Sequence, residues 1–589
     1  MNNSSSSPGS SWFPTFAPLF RWGLSLPARF PAFARFFRWL FSWRTLGRIM
    51  VGLAILATLI TLVCTEEHWR GKRAWTQYKH ELEVQGEKLD WKDYVPPPVP
   101  DQQNFAMTPF LAPLYDLNPE RRPEGQSRWR DTNGYNRANS LRLPNSDLLA
   151  DEFHQDRTAR RMTDLPTWTL ALAGKLSQAP APLAPEPPPG EAAAEEAFRK
   201  RYGLRPSAET SPALEAAAAA AAALTRPEAA AQVLRALEKF NPVLEELRSA
   251  SQRPYARFNI RYDDDFVPAI LLPHLAILKN AALIFQLRAC AELALDRTDQ
   301  AWADTKMALY LAEPFKDEPF LISKMVQLAI FRLSLQPIWE GLAEHKWSDA
   351  QLVEIEQCLA KLDLLADAAL RGERAASIRT IEQARNLGML DLDSSDRLPG
   401  LFSLLLGGFF YQNQLNVTRM YQQFFVPVVD AANQRIYPAR AVANGEALYK
   451  AITGGFRPYN LYPAMLVPGI TAAVTKFGFG QTRVNEAIVA CALERYRLAQ
   501  GQFPDSLEPL CPRFLQKMPH DIITDAPLIY RRTPDGQFIL YSVGWNEKDD
   551  GGQVMLTKAG QPSSNLTEGD WVWQYSAPTV SPVQKAARN

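Results

Sequence analysis

A run of seventeen consecutive uncharged residues, 49–65, constrains this chain more than any other feature of its sequence. At a helical rise of about 1.5 Å per residue, the run extends roughly 25 Å, close to the thickness of the hydrocarbon core of a bilayer. Arg44 and Arg48 come just before it, and their long side chains can reach the membrane interface. The sequence therefore predicts a transmembrane helix over 49–65, with the lipid bilayer as a partner.

The charges before this run predict the orientation of the helix. The preceding segment has no acidic residue, and its basic residues are six arginines: Arg21, Arg29, Arg35, Arg38, Arg44 and Arg48. Positively charged flanks of a membrane helix tend to stay in the cytoplasm. We therefore predict a cytoplasmic segment over 1–48 and an extracytoplasmic location for residues 66–589, in a single-pass membrane protein.

Three other interpretations of the apolar run compete with a membrane anchor. A cleaved signal peptide is disfavoured by the long segment that precedes the run and by the lack of a small-residue cleavage site after it. A lipid anchor on Cys64 is disfavoured because Leu62 and Val63 stand where a small residue is expected. A buried helix of a soluble protein does not explain the one-sided arginines.

Composition limits the remaining possibilities. A chain of 589 residues is long enough for two to four domains. Its net charge of +1 argues against a general nucleic-acid partner, which would require a basic excess. The five cysteines are scattered and form no CxxC pair, so neither a zinc site nor a dense disulfide framework is predicted.

Proline and alanine divide the first part of the chain after the predicted span. Residues 66–176 form a helical and irregular region with a stiff proline-rich spacer at 95–100. Residues 177–232 are rich in alanine and proline, including eight consecutive alanines at 216–223, and predict a linker.

Residues 233–483 predict a helical domain, because apolar residues recur at steps of three and four. One such stripe is Leu271, Leu275, Leu278, Ala282, Phe285, Ala289 and Leu293, and a second is Leu352, Ile355, Leu359, Leu362, Ala366 and Leu370. The segment 275–314 resembles a single tetratricopeptide-type helical pair, although an ordinary hairpin of a helical bundle is the simpler explanation. The apolar segment 401–411 is too short to span a bilayer, which leaves a core element or contact with the membrane surface.

The final segment, 484–589, changes to an α+β pattern. A helix is predicted up to Gln500 and is ended by Gly501. Two strand-like runs at 528–532 and 537–543 enclose a tight-turn sequence, which predicts a β-hairpin. The predicted fold class is therefore mainly α, with one transmembrane helix, a helical-bundle body and a small C-terminal α+β module.

This module resembles the C-terminal region of the major pseudopilin of type II secretion systems. The matching segments are ALERYRLAQGQFPDSLEPL at 492–510, MPHD at 518–521, LYSVG at 540–544, the paired glycines 551–552, and DW at 570–571. The whole chain also resembles uncharacterised single-span bacterial envelope proteins. The resemblance implies the module's fold, but not pilus assembly, because more than 400 residues separate the module from the apolar helix.

In the pseudopilin family, the loop that follows the serine and glycine of the segment matching LYSVG at 540–544 wraps a calcium ion. Here Asn546, Asp549 and Asp550 lie within five residues of one another, and such oxygen donors suit calcium. The resemblance implies that Asp570 completes the ligand set. Asn546 replaces an acidic ligand of the family, and the loop is one residue longer. A solvated acidic turn is the competing interpretation of these four residues.

No recognised catalytic motif is present in the sequence, and the six histidines are widely separated. The best local cluster is His520 with Asp521 and Asp525, and a turn rich in polar residues explains it more simply than a catalytic site does. We therefore expect a structural or protein-binding component of the bacterial cell envelope, with other envelope proteins as partners. The alternative is an envelope hydrolase with its site between the helical body and the C-terminal module.

Overall fold

A computed structural model describes residues 39, 42–118, 128–144, 160–173, 223–263, 266–387, 399–453, 457–467, 469–556, 563 and 565–575. Over these residues the chain is mainly helical, as predicted, with a long apolar N-terminal helix and a small C-terminal sheet. Most of the predicted cytoplasmic segment and most of the predicted linker lie outside the described residues.

The α-helices are α1 (Trp43–Val84), α2 (Thr132–Asn139), α3 (Leu165–Leu172), α4 (Arg226–Leu237), α5 (Asn241–Ala250), α6 (His274–Ala294), α7 (Thr298–Tyr310), α8 (Leu321–Ala343), α9 (Asp349–Leu359), α10 (Asp367–Leu387), α11 (Pro399–Met420), α12 (Pro438–Thr453), α13 (Leu461–Leu466) and α14 (Ile470–Gln500). The strands are β1 (Val429–Asp430), β2 (Arg435–Ile436), β3 (Ile529–Arg532), β4 (Phe538–Ser542) and β5 (Trp571–Gln574). Short 3₁₀ segments connect several of these elements, and a π-helical turn, Tyr421–Phe425, follows α11.

Helix α1 is longer than the predicted span. It continues without a break from the apolar run through the charged residues that follow, and ends at Val84. Ion pairs one turn apart, such as Lys79 with Glu83 at 3.6 Å, favour the helix beyond the apolar run. The chain turns at Gly86, whose φ of 87° is readily adopted by glycine.

Of the described residues, α1 is the one helix long and apolar enough to cross a membrane. Its most apolar window has a mean hydropathy of 2.2, and none of that window is buried within the protein. An uncovered apolar surface of this size is expected where lipid takes the place of protein contacts. The prediction of one apolar N-terminal helix of membrane-spanning length is confirmed.

Two compact units make up the chain. The first contains residues 1–74 and 385–411, and within it α1 packs closely against α11. A side chain at Gly408 would meet the backbone of Glu67 at 2.7 Å, and one at Gly407 would meet the ring of His68. The two glycines in the apolar segment 401–411 therefore allow α1 and α11 to pack closely at this point.

The second unit contains residues 75–384 and 412–589 and is built around one large apolar core. Leu278 and Phe285 of α6 are fully buried in it, together with Leu359 of α9 and Leu362, as the two stripes predict. Helices α6 and α7 form the predicted hairpin, and α8 packs against both. Ser348 and Gln351 cap the start of α9 reciprocally, as expected from the sequence.

The end of the predicted linker requires a correction. Helix α4 begins at Arg226, inside the range 177–232 that composition assigned to the linker. Thr225 caps this helix, and Glu228 bonds back to the backbone of Thr225 in a capping box. Ala229, Ala230 and Val233 are then buried, so this alanine-rich stretch belongs to the folded body.

The C-terminal sheet has the order β3-β4-β5 and is antiparallel throughout. Ile529 pairs with Tyr541 in the predicted hairpin, and Ser542 pairs with Trp571 of the third strand. Helix α14 packs on this sheet and ends before Gly501, whose φ is 81°. However, α14 begins at Ile470 rather than near Val484, because the helical body and the module share this helix.

Candidate functional site: two clefts and the C-terminal loop

Three of the four predicted calcium ligands, Asn546, Asp549 and Asp550, lie in one loop, and the fourth, Asp570, closes this loop through hydrogen bonds. Asp570 Oδ1 accepts a bond from the backbone N–H of Asp550 at 3.2 Å. Its Oδ2 accepts bonds from Gly552 at 2.6 Å and Gln553 at 3.3 Å. Asp570 therefore does return from the third strand to the loop, but its two oxygens meet amide donors there. Burial raises the pKa of this carboxyl above its ordinary value, and the amide bonds partly offset that rise.

The other predicted ligands are engaged in the same way. Asn546 Nδ2 donates to Asp550 Oδ2 at 2.8 Å. Asp549 Oδ1 accepts from the Tyr541 hydroxyl at 3.0 Å and from the Gly551 N–H at 2.8 Å. No group of three or more His, Cys, Asp or Glu side chains is arranged to hold a metal within the described part of the chain. In this structure the side-chain oxygens of the loop accept hydrogen bonds from its own donors, and calcium binding stays a prediction.

A cleft of about 480 Å³ lies where the helical body meets the C-terminal module, and we call it the amide cleft. Glu356 and Gln357 of α9 line one side, and Gln481 and Asn485 of α14 line its floor. Gln434, which lies between β1 and β2, and the loop 515–520 line the other sides. Its apolar contributions are Leu359, Leu362, Val484, Ile488, Leu515 and Met518. Primary amides are thus the commonest polar group in this cleft.

Two of these amides hold the walls of the amide cleft in place. Asn485 Nδ2 donates to the carbonyl of His520 at 2.9 Å, which fixes the loop 515–520 against α14. Gln481 Oε1 accepts from the Leu364 N–H at 2.9 Å and fixes the segment after α9. Gln357, Gln434 and Gln516 are exposed at the rim, where their amides face solvent.

The predicted polar cluster lies at one end of the amide cleft but does not converge on one point. His520 Nε2 is 3.3 Å from the carbonyl of Gln434 and 4.0 Å from Asp525. Asp521 turns inward instead, where its Oδ1 accepts from Ser542 at 2.9 Å. Glu356 pairs with Arg495 at 3.4 Å. Among the described residues, these acids and bases therefore contact different partners and do not meet at one point in the cleft.

A second cleft of about 500 Å³ shares Leu362 with the first, and we call it the lysine cleft. Lys316, Lys324 and Lys361 line it together with Asp317, Asp363 and other acids. Lys324 is only 6% exposed, and its ammonium donates to the Lys316 carbonyl at 2.8 Å and to Gln327 Oε1 at 3.2 Å. Burial lowers the pKa of Lys324 to about 8, against the opposing effect of the nearby aspartates.

The sequence does not predict the buried polar networks of the helical body. Glu340 of α8 is completely buried and pairs with Arg226 at 2.5 Å. It also accepts bonds from the backbone and hydroxyl of Thr163, at 2.7 and 2.6 Å, and from Gln336. This carboxylate holds α4 and the segment before α3 against α8.

Two histidines also take part in buried networks. His274 lies between Tyr115, whose hydroxyl is 2.5 Å from Nδ1, and Glu318, 2.8 Å from Nε2. Near α14, His345 Nδ1 is 3.0 Å from Glu494. Burial raises the pKa of Glu494, but bonds from Arg497 and His345 outweigh this effect and lower the pKa overall. No local spacing in the sequence indicates the contacts of the two histidines, because their partners are far apart along the chain.

Comparisons with protein-family models, curated proteins and solved structures find no match for this chain.

Proposed function

We propose that this protein is a membrane-anchored binding component of a bacterial cell envelope, with its large unit outside the cytoplasm. The apolar surface of α1 supports the anchor. The six arginines and the lack of acids before α1 support the orientation. The sheet β3-β4-β5 packed on α14 supports the pseudopilin-like fold that we propose for the C-terminal module.

We further propose that the amide cleft binds an extended polypeptide segment, and the chemistry of its lining supports this ligand. A primary amide offers both a donor and an acceptor, and so matches the alternating N–H and C=O groups of a peptide backbone. Leu515 and Met518 add apolar contacts for peptide side chains. None of the described residues that line the cleft is Phe, Tyr or Trp, so the stacking platforms that favour sugar rings are lacking there.

The test measures binding of short synthetic peptides to the full chain in detergent, with a β-linked oligosaccharide of similar length for comparison. We expect peptides with alternating apolar residues to bind. The double variant Gln357→Ala with Gln516→Ala should lower their affinity about tenfold, because two hydrogen bonds of about 0.5–1 kcal/mol each are lost. Gln500→Ala, an exposed amide at the end of α14, is the matched control and leaves binding unchanged. Binding of the oligosaccharide alone contradicts the proposal.

The alternative function is an envelope enzyme, and the observation that favours it is Lys324. An amine whose pKa is about 8 is partly neutral near pH 7 and therefore nucleophilic. The test is the rate of acetylation of Lys324 by acetic anhydride as a function of pH, with the exposed Lys361 as the control. A titration midpoint near 8 for Lys324 alone supports a reactive lysine, and a midpoint near that of Lys361 contradicts it.

A further inference from the structure

Helices α12 and α13 carry an apolar surface that the described residues leave uncovered. Val442 and Tyr449 of α12 are 52% and 69% exposed, and Leu461 and Met465 of α13 are 52% and 71% exposed. Single exposed apolar residues are common on any protein, but four large ones on two consecutive short helices are unusual. We call these four residues the α12–α13 face.

The α12–α13 face has a fixed orientation. An adjacent side of α12, about 100° around the helix from Val442 and Tyr449, is buried through Ala441 and Leu448. These two residues line a small cavity together with Phe424 and Phe425. Asn444 Nδ2 also donates to the Phe424 carbonyl at 3.0 Å. Val442 and Tyr449 are seven residues apart, about two helical turns, and so point to the same side of α12.

Helix α13 is attached to α12 by a side-chain bond at its start. Asn460 Nδ2 donates to the carbonyl of Ala451 at 3.1 Å. Leu461 and Met465 are four residues apart and therefore share one side of α13. The two pairs of exposed apolar side chains thus belong to one small folded element.

Basic side chains accompany this apolar surface. Arg440, Lys450 and Arg457 are all exposed, whereas Glu446 is the one acidic residue in 438–453 and 457–467. Three positive charges against one negative charge leave a net charge of +2 on these two segments. A helix with exposed apolar residues and flanking basic residues is typical of segments that lie at the interface of an anionic membrane.

We propose that the α12–α13 face rests on the anionic lipid surface of the bilayer that α1 crosses. Because α1 tethers the chain to that bilayer, lipid headgroups are present at a high effective concentration beside the rest of the protein. The basic residues attract anionic headgroups, and the four apolar side chains enter the interface. This proposal depends on the insertion of α1, but not on peptide binding in the amide cleft.

The test uses the full chain reconstituted in vesicles of equal parts phosphatidylcholine and phosphatidylglycerol. Flotation with the vesicles first establishes that α1 is inserted. The photoreactive residue p-benzoylphenylalanine then replaces Tyr449 or Met465, and in a control it replaces the exposed Leu498 of α14. We expect lipid adducts by mass spectrometry at Tyr449 and Met465, and none at Leu498.

The charge contribution is tested with K450Q and R457Q together, beside the photoreactive group at Met465. Each basic residue near an anionic surface contributes about a fivefold preference, so adduct yield should fall towards the yield in pure phosphatidylcholine vesicles. Unchanged thermal unfolding shows that these exposed variants fold. Adducts of Tyr449 or Met465 with a protein instead of lipid, or no adduct in a chain that floats, overturn the proposal.

Discussion

Two buried carboxylates, Glu340 in the helical body and Asp570 in the C-terminal module, show how differently these two regions are held. Glu340 binds Arg226, Thr163 and Gln336 and so connects segments that are far apart in the chain. Asp570 accepts hydrogen bonds from three backbone amides of one nearby loop, and it forms no ion pair with any of the described residues. The body therefore depends on long-range packing and charge pairing, whereas the loop depends on short-range hydrogen bonds.

The largest expected effect belongs to the core of the body. Phe285→Ala should lower the free energy of unfolding by about 3–5 kcal/mol, because Phe285 is fully buried and its truncation leaves a cavity. Chemical denaturation of the full chain in detergent measures this change. The control is Ile322→Ala on the exposed side of α8, which should change stability by less than about 0.5 kcal/mol. Equal effects of the two variants would show that the α6 stripe is not a core element.

Breaking the network of Glu340 comes next. Glu340→Gln should cost about 3 kcal/mol, the lower end of the usual range for one partner of a buried ion pair, because Arg226 is partly exposed. Glu354→Gln, which breaks an exposed pair with Lys306, is the matched control and should cost at most about 1 kcal/mol. A cost no larger than that of the control would contradict a connecting role for Glu340.

These two predictions also show what the sequence can and cannot reveal. The sequence predicts that Phe285 is buried, because its neighbours at steps of three and four are apolar. Such periodicity is a local signal. Glu340 was not identified, since its partner Arg226 lies 114 positions away. The same reason applies to the amide cleft, whose lining residues Glu356, Gln434 and Gln516 meet only in the folded chain. The sequence identifies His520 as part of a local polar cluster, but it does not indicate that Glu356 and Gln357 line the same cleft.

Asp570→Asn should have a smaller effect, about 1–2 kcal/mol, because one acceptor oxygen for the loop amides is lost. The pH dependence has a defined sign. The pKa of Asp570 is raised in the folded state, so its contribution to stability decreases as pH rises from the unfolded value of about 3.9 to the folded pKa. The D570N variant should lose this slope. Asp505→Asn, at an exposed site, is the control, and an identical slope in D570N and the parent chain would contradict this assignment.

The smallest expected effect concerns calcium. If the loop is closed by its own hydrogen bonds, millimolar calcium should leave the melting temperature of the full chain unchanged. A rise that Asp549→Ala with Asp550→Ala abolishes would instead establish the metal site implied by the pseudopilin resemblance. Magnesium at the same concentration serves as the control for ionic strength.

Peptide binding outside the cytoplasm is tested most directly by cross-linking on intact spheroplasts. The chain carries p-benzoylphenylalanine in place of Gln516 at the amide cleft or, in a control, in place of Gln500, and a short labelled peptide is added outside. We predict that the peptide is captured from Gln516 on intact spheroplasts and is not captured from Gln500. Capture only after lysis would contradict the proposed orientation, and no capture from Gln516 under either condition would contradict the amide cleft as the binding site.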